Sequence, residues 1–144
     1  MDIAALILWI ITAAGGFYLL ATWIGKGGMK QQSSKFPPAL VFGHFLSAAL
    51  GLVVWIIYLV TDSSGWAWTA LVLLLVIALQ GFGLFAKWLP GYRAKSTAAA
   101  SGPGATSADE TAAEQHFPVV VVAAHGLLAV GTLLLVLVTV LQLS

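Results

Sequence analysis

Cysteine is absent from the chain. That one gap removes disulfides, iron–sulfur clusters, covalently attached c-type haem and thiolate zinc sites. Charge is nearly absent as well: 8% of the 144 residues are charged and 60% are hydrophobic. A soluble domain of this length has no core large enough to hide so much apolar surface. The net charge of +1 says little about partners, and nothing in the chain points to nucleic acid. Met1-Asp2-Ile3 is followed by neither a basic region nor a small-residue cleavage site. The first apolar run therefore reads as a spanning helix rather than a signal peptide.

What is present is four long apolar runs, near residues 4–24, 37–61, 66–89 and 117–143. Each reaches the roughly 20 residues that a bilayer-crossing helix needs. Backbone in lipid must satisfy its own hydrogen bonds, so the runs are predicted to be helices. Pro37, Pro38 and Pro118 fall where a helix begins, at positions with no intrahelical use for an N–H. Asp62-Ser63-Ser64-Gly65 makes a short turn, which sets the second and third helices antiparallel. All six basic residues, Lys26, Lys30, Lys35, Lys87, Arg93 and Lys95, fall on one side of this arrangement. The positive-inside rule makes that side cytoplasmic in a multi-pass plasma-membrane protein, with both termini extracytoplasmic. Trp23 and Trp88 are placed as anchors at that interface, with Trp66 and Trp68 at the other. Residues 94–115, rich in Ala, Ser, Thr and Gly with a late Asp109-Glu110 pair, read as a flexible cytoplasmic loop.

The chain also repeats itself. Phe36-Pro37 is followed seven residues later by His44, and Phe117-Pro118 seven residues later by His125. Alanine stands four residues beyond each histidine, at Ala48 and Ala129. Gly16-Phe17-Tyr18-Leu19-Leu20-Ala21-Thr22-Trp23 in the first helix aligns with Gly81-Phe82-Gly83-Leu84-Phe85-Ala86-Lys87-Trp88 in the third. The fold class expected is an all-α membrane four-helix bundle built from two parallel two-helix repeats, related by an axis along the membrane normal. The second and fourth helices then stand at diagonal corners. Their histidines lie at one depth, about 10 Å in from the cytoplasmic end at 1.5 Å per residue. Gly15, Gly16, Gly81 and Gly83 lie near that depth, where small residues let a flat ligand approach the backbone or let helices pack.

A titratable side chain in lipid is costly, and a matched pair of them implies a site. Two imidazoles facing each other saturate a haem iron, whereas zinc needs further ligands that no carboxylate or thiolate at this depth supplies. His44 and His125 are therefore the candidate metal ligands for one haem b. Lys35, Arg93 and His116, with Lys26 and Lys87, are candidates to face its propionates, and Trp23 or Trp88 to donate N–H bonds to them. His116 sits at the interface and is not expected to be an axial ligand.

Two diagonal helices with one histidine each, flanked by glycine-bearing helices, resemble the membrane b-type cytochromes. Examples are the four-helix cores of quinone- and superoxide-linked oxidoreductases. The resemblance rests on His44, His125 and the glycines. It implies electron transfer with a quinone or a redox partner protein. Those families often carry two stacked haems, and this chain has no second histidine pair on the far side. No acid–base pair or nucleophile marks it as an enzyme in its own right. Haem sensing or delivery is a second reading, a non-haem accessory subunit of a membrane complex a third, and a homo-oligomer is compatible with each.

Overall fold

A computed structural model describes residues 1–30, 34–100, 102 and 112–143. It contains α1 (Asp2–Gly25), α2 (Pro38–Thr61), α3 (Ser64–Ala100), a 3-10 turn (Ala113–His116) and α4 (Val119–Gln142). Each of the four α-helices is long and apolar enough to cross a membrane. Asp109 and Glu110, with residues 101, 103–108 and 111 of the predicted loop, lie outside the described residues.

The prolines act as starters. Pro37 and Pro118 are the N-caps of α2 and α4, with φ/ψ of −63°/125° and −63°/123°. A proline there gives up no intrahelical bond. Asp62 ends α2 in the left-handed region at φ 52°, where aspartate is tolerated, and its N–H bonds the Tyr58 carbonyl at 2.8 Å.

The end of α3 departs from the sequence expectation. The third apolar run ends near residue 89, yet the helix continues through Pro90 to Ala100. Proline denies one carbonyl its donor at a cost of about 3 kcal/mol. The residues beyond it, with Ala94, Lys95 and Ala98 to Ala100, include strong helix formers that carry the helix on. Residues 94–100 are thus helix rather than loop, and Ala113–His116 forms a 3-10 turn. At 1.5 Å per residue α3 is about 55 Å long, well beyond the ~30 Å of a hydrocarbon layer.

Packing divides the bundle into two tight pairs, α1 with α4 and α2 with α3. These pairs meet along a seam. Contact across it is lighter between α3 and α4, lightest between α1 and α2, and α2 and α4 stand diagonally. Two apolar clusters fill the bundle, one toward each end. The cluster nearest the termini contains Ala5, Trp9, Trp55, Tyr58, Leu71, Leu74 and Val136. There the Asp2 carboxylate accepts from Tyr58 Oη at 3.1 Å and Thr139 Oγ1 at 3.2 Å, and the Trp55 indole donates to the Asp2 carbonyl. Outward faces carry bare hydrocarbon: Leu79, Val120 and Leu127 are 73%, 74% and 75% exposed. Faces of that kind call for an apolar surrounding.

The basic end holds the second cluster, Trp23, Phe36, Val41, Trp88 and Ala113. Trp23 and Trp88 are therefore core residues, 1% and 4% exposed, rather than surface anchors. The segment before each proline folds over the bundle end and covers them. Phe36 and Phe117 meet there with ring centres 6.0 Å apart. Glu114, fully buried, ties this roof together. It accepts from Ser34 Oγ and from the Lys35 backbone N–H, both at 2.7 Å, while Ser34 Oγ accepts the Trp23 indole N–H at 2.8 Å. Glu114→Ala should lower the thermal unfolding midpoint of the detergent-solubilised protein. It strands two donors at about 1–3 kcal/mol each. Glu114→Gln, which keeps an acceptor oxygen, should lose less.

Candidate functional site

Between the two clusters lies a polar layer. His44 on α2 and His125 on α4 face each other there, ring centres 6.3 Å apart and planes at 72°. Each ring rests on a helix of its own tight pair. His125 Nδ1 lies 2.9 Å from the Thr12 carbonyl on α1, and His44 Nδ1 lies 3.1 Å from the Ile77 carbonyl on α3. A carbonyl only accepts, so each Nδ1 bears the proton and donates it; the tautomer is assigned from this partner. The Nε2 of each neutral ring is left as a base, and neither makes a hydrogen bond among the described residues. Metal-ligating histidines use the same kind of bond to fix their tautomer, and so do histidines that only join helices.

Glycine is what lets the imidazoles reach those carbonyls. A helical side chain covers the turn N-terminal to itself. Gly16 stands one turn after Thr12, and Gly81 one turn after Ile77, so both carbonyls are uncovered on that face. A Cβ on Gly16 would lie 2.8 Å from His125 Cε1, and one on Gly81 3.2 Å from His44 Cε1. Gly15 also borders His125, at 3.7 Å from Nδ1. Gly83 does not border a histidine; its neighbour is Leu40 Cδ2.

The histidines open on a cavity of about 60 Å³ lined by Trp9, Thr12, Ala48, Ile77, Ala129 and Thr132 among others. The alanines one turn beyond each histidine, Ala48 and Ala129, are walls of this space. That volume holds several waters at ~10–15 Å³ each. It is well below the ~300 Å³ at which small-molecule pockets begin. Among the described residues no group of three or more His, Cys, Asp or Glu is placed to hold a metal ion.

The other candidates lie apart from this pair. Lys35, Arg93 and His116 are exposed at the basic end. The Lys35 N–H is engaged by Glu114, and His116 Nδ1 donates to the Ala112 carbonyl at 3.2 Å. Trp23 has spent its indole N–H on Ser34. Several polar groups were not foreseen from the sequence. The carbonyls of Thr12 and Ile77 were signalled by a glycine one turn later. Glu114 was signalled by its place just before a Phe-Pro helix start. Gln80 is a lone amide in an apolar run, beside Gly43, and its buried Oε1 has no partner among the described residues.

Compared with protein-family models, curated proteins and solved structures, the chain matches none.

Proposed function

We propose that the chain is a membrane-embedded b-type cytochrome that carries one haem between His44 and His125 and passes single electrons. One observation carries this reading: both Nδ1–H groups are spent on backbone carbonyls, leaving two basic Nε2 atoms on rings 6.3 Å apart. A metal gripped from opposite sides, at about 2 Å per metal–nitrogen bond, sets imidazole centres about 6 Å apart. When bound, haem supplies a one-electron couple, and two imidazole ligands leave no open position for oxygen.

The remaining work belongs to the chain. Thr12 and Ile77 fix the ring orientations, and Gly16 and Gly81 give the rings their seats. The macrocycle is larger than the central cavity, so a bound haem would need the seam between the two tight pairs to open beside Ala48 and Ala129. The basic end faces the cytoplasm under the positive-inside rule, with both termini opposite. Lys26, Lys87 and Arg93, exposed at that end, offer charge to propionates.

The bundle is two copies of a hairpin, α1–α2 and α3–α4. Three matches support this: the Pro37 and Pro118 caps, Thr12–Gly16 under one histidine with Ile77–Gly81 under the other, and Tyr58 and Thr139 donating to one carboxylate. Each hairpin seats the histidine of the other, so neither forms a complete site alone. Membrane quinone or a redox protein is the electron partner under this reading.

An absorption spectrum of detergent-purified protein, oxidised and then reduced, tests it. A sharp α band on reduction is the expected result. A second reading has its own support: the two Nδ1 bonds already stitch α1 to α4 and α2 to α3, and the cavity between the rings is small. In that case the histidines are interhelical glue in an accessory subunit, and the purified protein is colourless and takes up no added haemin.

A further inference from the structure

The space between the histidines is small and uncharged. Its volume is about 60 Å³, and its walls carry no carboxylate and no thiol. Two of its polar walls have already spent their hydroxyl protons. Thr12 Oγ1 donates to the Leu8 carbonyl and Thr132 Oγ1 to the Leu128 carbonyl, each at 2.8 Å and each within its own helix. Neither is left to donate to a ring nitrogen. Both Nδ1–H groups are held by the Thr12 and Ile77 carbonyls. The two rings thus border this space with an Nε2 lone pair each, and its hydroxyl neighbours have no proton to give them.

Those features select an ion by size, charge and coordination. Rings with centres 6.3 Å apart suit a metal held in line at about 2 Å from each nitrogen. The 72° between the ring planes is no obstacle, because rotation about the nitrogen–metal–nitrogen axis changes neither bond. Two neutral ligands bring no negative charge. The cost of taking an ion out of water rises with the square of its charge, so a monovalent ion costs about a quarter of what a divalent one does. Zinc needs further ligands, and magnesium and calcium need a shell of oxygens. Monovalent copper, with its filled d shell, accepts two imidazole nitrogens in line. Divalent copper wants a tetragonal nitrogen and oxygen set, which Ala48, Leu74 and Ala129 do not supply.

We infer that His44 and His125 form a binding site for a bare monovalent copper ion, held in line between their two Nε2 atoms. This goes beyond the haem reading and does not rest on it. A porphyrin needs the seam to open, whereas a single ion is matched to the space as it stands. The same two nitrogens serve either occupant, so copper and haem exclude each other. The walls also hold the metal in one oxidation state. Loss of an electron would leave a second positive charge uncompensated and the coordination shell unfilled. The site therefore keeps copper without cycling it.

The test uses the full-length protein in detergent, kept anaerobic with ascorbate, and Cu(I) buffered by bicinchoninate. The wild type should draw one equivalent of Cu(I) from the chelator and should bind no Zn(II). X-ray absorption of the loaded wild type should show two nitrogen neighbours and the edge feature of linear Cu(I), a readout that needs no variant to fold. His44→Ala and His125→Ala should each weaken binding by more than about a hundredfold, the upper end of what losing a mere supporting group costs a metal site. Met29→Leu, which removes an exposed thioether, should leave binding unchanged. Copper retained by the His44→Ala/His125→Ala double variant, or a metal with three or four ligands, would overturn the site. A wild type that takes up haemin but leaves Cu(I) with the chelator would also overturn it, and the haem reading would stand. A wild type that binds linear Cu(I) and gives no bis-imidazole spectrum with haemin would support the copper site and overturn the haem reading. If both bind, Cu(I)-loaded protein should refuse haemin until the chelator strips the ion; simultaneous binding of the two would place copper elsewhere and overturn the inference.

Discussion

Under the haem reading, His125→Ala should yield a folded protein that cannot hold haem in a six-coordinate state, and His44→Ala should do the same. The fold is expected to survive because neither substitution strands a buried group. The Thr12 and Ile77 carbonyls keep their intrahelical donors, so the lost histidine bond is a second one. The loss is about one ordinary hydrogen bond, roughly 0.5–1.5 kcal/mol, plus the space the ring leaves. Loss of an axial ligand is far larger in its spectral effect: the sharp reduced α band disappears. Free imidazole supplied in the buffer should restore it, since the vacated volume has the shape of the missing ring and opens on the central cavity. His116→Ala, at an exposed residue whose ring bonds the Ala112 carbonyl, should change neither colour nor stability. Glue and ligand separate cleanly here. If the histidines only join helices, both variants lose stability, imidazole rescues nothing, and no spectrum existed to lose.

The histidine pair was legible because two periodicities agree. An identical spacing from Phe-Pro fixes the depth of each histidine, and antiparallel connection of successive helices fixes the diagonal. The starts of α2 and α4 were legible through proline for the same local reason. Other features depend on long-range contacts that no local pattern carries. The third apolar run ends near residue 89, and only the helix-forming residues after it tell otherwise. Trp23 and Trp88 sit at helix ends, where tryptophan usually meets the interface. Their burial comes from the segments before Phe36 and Phe117 folding back, which required Ser34 and Glu114, 80 residues apart in sequence, to find each other. The glycines were placed at the right depth but given a different task. At Gly16 and Gly81 they seat the imidazoles and uncover a carbonyl. That task shows only once it is known which helix packs against which: each histidine rests on a helix from the other hairpin.

The glycine seats also make the most demanding quantitative expectation. Gly16→Ala should weaken haem binding more than any other alanine substitution in the glycine set. The added Cβ would lie 2.8 Å from His125 Cε1, closer than real side-chain contacts come. The atom that must give way belongs to a rigid ring pinned at 2.9 Å to Thr12. Overpacking of this kind costs about 1–3 kcal/mol. If the strain is relieved by tilting the ring off its axis, it reappears as roughly one to two orders of magnitude in affinity, at 1.4 kcal/mol per tenfold. Gly81→Ala meets His44 Cε1 at 3.2 Å, a gap that a few tenths of an ångström relieve, and should weaken binding less. Gly15→Ala makes an ordinary contact at 3.7 Å and Gly83→Ala touches only Leu40, so both should bind haem as the wild type does. Titration of each apo-variant with haemin, normalised to folded protein by size-exclusion chromatography, gives the ranking. A series in which Gly16→Ala and Gly83→Ala bind equally well while differing in thermal stability would mean that the glycines serve helix contact alone. The rings would then owe their positions to something other than the seats beneath them.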